Sequence, residues 1–192
     1  MLTALRAATA ARHTVLDTGL PLAGEAPTLA DYRDHLLMLR AWLAPMERWM
    51  DQFADGPLAM QGQQNTPVTQ ATQLLPVART PLIDADLALI DPSLLLPEDS
   101  TPWPQHASAA YRWGVAYVVE GSQLGGAVLY KRLAERLAPH PLGYLRTEAG
   151  PGPRWSMFLD ALRGAVQSPK AVVEACQGAC DAFDRLIAAS RH

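Results

Sequence analysis

The chain has 192 residues, 49% of them apolar, and its 16 Lys and Arg against 19 Asp and Glu leave a net charge of -3. That length predicts one domain over residues 1–192 with a core of its own, and the charge offers no basic face for nucleic acid. No run of about 18 uncharged apolar residues predicts a membrane span. Met1-Leu2-Thr3-Ala4-Leu5-Arg6 has no apolar signal stretch, so the expected compartment is the cytoplasm.

Strand patterns are nearly absent and helical periodicity dominates. The first helix is predicted over about residues 3–18, ending near Gly19 and Pro21. The second starts at Thr28, an N-cap with Asp31 three positions on, and runs to about Phe53; Pro45 inside it predicts a kink or a split. Residues 54–66 read as a polar connection, 68–79 and 81–90 as helical patches, and the proline-rich 91–104 as a loop. A long helical stretch follows over about 105–138, then a Pro/Gly loop over 139–153 and helices over about 154–166 and 169–190. Short connections between helices predict an all-α bundle. Cys176 and Cys180, four apart in the last helix, read as buried thiols before they read as a disulfide or metal pair.

Two of these helices carry the chemistry. In the first, Leu5, Thr9, His13 and Leu16 share a face. Arg6 lies seven residues before His13, almost two turns, so both side chains project from one side, roughly 10 Å apart along the axis. That suits a flat ligand with a metal centre and an anionic edge. Taken singly, a core or surface histidine and a solvated arginine are the commoner readings. The long helix contains Gly121-Ser122-Gln123-Leu124-Gly125-Gly126. Glycines inside a helix each cost up to about 1 kcal/mol relative to alanine. Keeping them implies close backbone approach or a bend. Gly121 and Gly125 lie one turn apart, and Gly114, seven before Gly121, extends a strip without side chains. Such a strip serves tight helix packing or a backbone laid over a planar cofactor, and spacing alone leaves both open.

Other chemistries find no support. H-E-x-x-H, C-x-x-C and G-x-S-x-G are missing. No G-x-G-x-x-G follows a strand, so no flavin or nicotinamide site is expected. Asp84 and Asp86 lack the Glu-x-x-His of di-iron bundles. His35 reads as a helix-surface or core residue, while His106 lies near a helix start, His140 on a loop between prolines and His192 at the last position.

At these residues the sequence resembles the heme oxygenase family. Leu5-Arg6-Ala7-Ala8-Thr9 with His13 and Leu16-Asp17 looks like the proximal helix. Tyr117-Val118-Val119-Glu120-Gly121-Ser122-Gln123-Leu124-Gly125-Gly126-Ala127 resembles the distal helix of the bacterial branch. The likeness extends to Leu137-Ala138-Pro139-His140-Pro141, to Arg154-Trp155 with Phe158, and to Ala182-Phe183. It implies a single-domain helical bundle holding heme between the first helix and a kinked Gly-rich helix. His13 matches the axial ligand to iron. Arg6 and Tyr117 match partners of the propionates, and Phe183 a pocket wall. Gly121, Ser122 and Gly125 match the distal backbone that crosses the ring. The mammalian branch has an aspartate where this chain has Ser122; serine is usual in the bacterial branch, and it leaves the proton route unassigned.

The resemblance implies that heme, as substrate and cofactor, is cleaved with O₂ to biliverdin, carbon monoxide and ferrous iron. The electrons are expected from a ferredoxin, flavodoxin or reductase, and a bilin-accepting photoreceptor is a conceivable recipient of the product. A heme-binding or heme-delivery protein without catalysis is the alternative on the same scaffold, and a helical interaction module a third.

Overall fold

The structure is a computed structural model that describes residues 1–20, 22, 24–57, 78–94, 102–146 and 151–191. Among them are six helices and no strand: α1 (Leu2–Gly19), α2 (Leu29–Met50), α3 (Thr80–Ile90), α4 (Ala109–Leu133), α5 (Pro151–Ala165) and α6 (Pro169–Ala189). The helical patch expected over 68–79 falls mainly outside the described residues, as do most of the 54–66 connection, 95–101 of the proline-rich loop, and His192. No described helix is long and apolar enough to cross a membrane.

Local chemistry explains the helix boundaries. Thr28 and Asp31 form a reciprocal capping box: the Asp31 N–H donates to Thr28 Oγ1 at 3.3 Å, and the Thr28 N–H to the Asp31 carboxylate at 2.7 Å. Such a cap contributes about 1 kcal/mol. Ser108 caps α4 and Ser168 caps α6 by accepting from Tyr111 and Ala171 N–H. The start of α3 has no cap of its own; its Arg79 and Thr80 N–H groups donate instead to Glu47 of α2.

The helix is not split at Pro45. Proline removes one backbone hydrogen bond, but Leu43, Ala44, Met46 and Trp49 are buried on both sides of it and hold α2 in the core as one element. The long stretch expected over 105–138 is trimmed to α4 with turns over 134–139, and the glycine-rich segment stays helical.

Helices α4 and α6 touch through their backbones. A Cβ on Gly114 would collide with the Ala175 carbonyl, and one on Gly178 with that of Tyr111. Gly114 is therefore a packing glycine, and the strip read from the sequence stops short of it. Helix α1 is tied to α6 by a two-pronged pair of Arg12 with Asp184 at 2.7 and 2.8 Å. Glu120, buried one residue before Gly121, lies between Arg154, at 2.8 and 2.7 Å, and Arg79, at 3.0 Å. Removing one partner of such a buried group strands the other charge, so this cluster fixes where α4 presents the residues that follow. The two aspartates of α3 diverge. Asp84 pairs with Arg40 at 2.6 Å. Asp86 is buried and accepts from the Tyr32 hydroxyl at 2.6 Å and from the Gly143 and Tyr144 N–H groups at 3.0 and 2.9 Å. The cysteines are half-buried and unpaired with each other, and burial raises both thiols above their usual range.

Candidate functional site

A cavity of about 680 Å³ opens between α1, α2 and α4, closed at its sides by Tyr144, Leu145, Trp155, Phe183 and Leu186. Its volume lies within the roughly 300–1,000 Å³ of small-molecule and cofactor pockets. All seven residues singled out from the sequence line it: Arg6 and His13 from α1, Tyr117, Gly121, Ser122 and Gly125 from α4, and Phe183 from α6. They are spread over 178 positions of the chain and meet only because α1 and α4 both pack on α6.

The α1 wall is built around His13. Its Nδ1 lies 2.9 Å from the Asp17 carboxylate one turn on, and its ring centroid 5.8 Å from that of Phe183. A carboxylate can only accept, so in the neutral ring the proton sits on Nδ1 and Nε2 keeps its lone pair. The side chain is 64% exposed, rotated by Asp17 and Phe183 rather than buried in the core. Arg6 is exposed at the rim on the same helix.

The α4 wall is bare main chain. A Cβ on Gly125 would meet nothing within 4 Å, and one on Gly121 would touch only the Trp155 ring at 3.6 Å. Neither glycine is required by packing, unlike Gly114. Tyr117 leans on Trp155, ring centroids 5.5 Å apart, and Trp155 stacks on Phe158 at 5.7 Å. Ser122 Oγ donates to the Val119 carbonyl at 2.8 Å. Gln123 Nε2 donates to Ser122 Oγ at 3.3 Å and to the Tyr144 hydroxyl at 3.2 Å, joining two polar groups of the lining. Burial pushes the Tyr144 phenol above its ordinary range.

No family model matches the chain. A heme oxygenase from Xanthomonas campestris pv. campestris (strain 8004) is 35% identical over 103 residues; the match covers 53% of this chain and spans only 60% of that relative. The NO- and CO-bound heme oxygenase from Neisseria meningitidis matches with a TM-score of 0.68 at 23% identity, covering 97% of this chain and 88% of that one. This chain has the heme oxygenase fold.

Within that fold, sequence reasoning missed three polar members of the cavity. Asp17 was legible, since an i, i+4 carboxylate after a histidine is a helical contact. Tyr144 had no local signal, because it reaches the cavity only through the Asp86 clasp. His35 lay undecided between surface and core; it is buried at 5% exposure and lines the cavity with Met38 and Leu39. Burial pushes its imidazole down to about 4, against an ordinary value of 6.5.

That depression has a sign. The folded chain holds His35 neutral, and the unfolded chain protonates it below about pH 6.5, so stability is fully present above that pH and is lost as pH falls toward 4. The loss attributable to this residue is about 3 kcal/mol at pH 4. Urea unfolding of wild type and His35→Leu at pH 7 and pH 4 should show the variant losing that much less; equal losses would remove His35 from the account.

Proposed function

We propose that this chain is a biliverdin-producing heme oxygenase of a single domain, binding heme with His13 Nε2 toward the iron and opening the ring to biliverdin, carbon monoxide and ferrous iron. The observation that carries this is the meeting of one oriented imidazole with glycine backbone no packing requires, across one cavity. The residues fit the group. The Asp17 hydrogen bond leaves the ligating nitrogen free and sets the ring plane, the usual arrangement for histidines that bind metals. The open face at Gly125 and Gly121 is a cradle that side chains would fill. Heme supplies the redox and O₂ chemistry when bound.

The remaining work is done by the chain. Arg6 and Tyr117 would hold the propionates and so would set which way round the ring enters the cavity. Gly121, Ser122 and Gly125 would offer main chain rather than bulky side chains to the ring and would limit the room beside it. Phe183 packs beside His13, and the apolar lining from Leu16 to Leu186 excludes bulk water, strengthening each electrostatic contact within. Electrons come from a ferredoxin, flavodoxin or reductase, and the cytoplasm is the compartment that suits such donors.

The test has two steps. Hemin is added and an absorbance spectrum recorded; an axial-histidine Soret band is expected. A reductant is then added under air, with loss of the Soret band and growth of a biliverdin band expected. A stable Soret band after reduction would mark a heme-binding or delivery protein, and no band at all would sink the reading.

A further inference from the structure

The two halves of α4 are held in different ways. Up to Glu120 the helix is core: Val115, Ala116, Val118, Val119 and Glu120 are buried. From 121 to 132 no residue is fully buried, and Leu133 is the next that is. The glycine-rich turn lies in this span, where few buried contacts make for weak local fixing. Among the described residues, the side-chain hydrogen bonds that tie the span to another part of the chain end at one group, the Tyr144 hydroxyl. It accepts from Gln123 Nε2 at 3.2 Å, and Ser122 Oγ, which the same amide meets at 3.3 Å, lies beside it. Gly126, three residues on from Gln123 and on the same face, rests on Leu145: a Cβ there would meet Leu145 Cδ2 at 3.6 Å. Tyr144 and Leu145 thus make a seat under the turn with one polar and one apolar point.

The seat is itself clamped. The buried Asp86 carboxylate accepts from the Gly143 and Tyr144 N–H groups at 3.0 and 2.9 Å, and from the Tyr32 hydroxyl on α2 at 2.6 Å. The Leu142 N–H donates to His140 Nδ1 at 3.1 Å. Leu142 has a φ of 51°, a left-handed backbone that a leucine keeps only where its surroundings hold it. Through this chain of bonds the bare turn of α4 takes its position from α2 and α3 as well as from its own helix.

We propose that Gln123 and Tyr144 are positioning residues: their hydrogen bond is the strut that sets the height of the Gly121–Gly125 turn over the cavity, and Asp86 fixes its far end. The effect on a bound ring rests on the heme reading; the strut itself does not. Two substitutions isolate it. Tyr144→Phe keeps the ring and the N–H that Asp86 holds and removes only the hydroxyl. Gln123→Leu keeps the size and helix propensity of the side chain and removes the amide.

The first arm uses the protein without heme and follows amide hydrogen exchange. Exchange over 121–126 should quicken about two- to tenfold in each variant, the factor to which the net strength of one hydrogen bond corresponds, while α6 stays as in wild type. The double variant should quicken by less than the product of the two single effects, because both remove the same bond. Wild-type exchange over 121–126 in both single variants, or effects that simply multiply, overturns the strut. The second arm loads the same proteins with heme and records the infrared stretch of carbon monoxide on the reduced form. A turn no longer held at one height should shift or broaden that band in both variants; wild-type position and width in both overturn the role toward the ligand. Thermal unfolding checks the fold, and if Tyr144→Phe does not fold, Gln123→Leu decides. Failure of hemin to bind to wild type would sink the heme reading and leave the exchange arm to judge the strut alone.

Discussion

His13→Ala removes the axial-histidine spectrum of the hemin-loaded protein and brings biliverdin formation to background, with the fold intact. The side chain is 64% exposed and bonds only to an equally exposed Asp17, so its loss should change stability by no more than about 0.5 kcal/mol, the usual range for surface substitutions. Function should respond quite differently, because the other described histidines are placed differently: His35 lines the cavity from α2 but is buried, His106 is not in the lining, and His140 is engaged by the Asp86 carbonyl and the Leu142 N–H. Asp17→Ala makes the graded comparison. It leaves Nε2 in place but frees the ring to turn, and loss of such an orienting carboxylate costs about 10–100-fold in affinity or activity. Absorbance titration with hemin, then turnover with a reductant, reads both variants. A His13→Ala protein with the wild-type spectrum would end the assignment of that residue.

The fold was legible wherever the signal was local. The Thr28–Asp31 box, the proline at the start of α6 and the apolar periodicity of α2 are each written within a few residues, and those helices lie where the pattern puts them. Pro45 does not split α2, because burial along the helix outweighs one missing backbone bond. The seven cavity residues were found from helical spacing joined to a family resemblance, and spacing alone could not have paired α1 with α4. Tyr144 and His35 were beyond reach for another reason. Tyr144 is held by Asp86, and His35 lies one turn beyond the Tyr32 that Asp86 binds; Asp86 looks from the sequence like the twin of Asp84, yet it is buried against Tyr32 while Asp84 pairs with Arg40. Two residues apart in a helix, the pair faces different surroundings, and only the packing of α2 and α3 decides which one goes inward.

Gly125→Leu is expected to leave the protein folded and to weaken hemin binding by about ten- to a hundredfold, whereas Gly114→Ala should do the reverse. The sequence offers the two glycines as one strip, but their surroundings differ in kind. At Gly125 a side chain enters open space, and replacing a helical glycine there should even gain up to about 1 kcal/mol in helix propensity. What the leucine occupies is the volume proposed for the ring, and overpacking of that order costs about 1–3 kcal/mol, which is the stated change in Kd. At Gly114 the added methyl meets the Ala175 carbonyl, a backbone atom with no rotamer to escape into. Helices α4 and α6 must then move apart, and the cost, about 1–3 kcal/mol or more, falls on stability while the folded fraction binds hemin normally. Urea midpoints and hemin titrations on the same two variants separate the cases. If Gly125→Leu binds hemin as tightly as wild type, no planar ligand lies against that turn of α4.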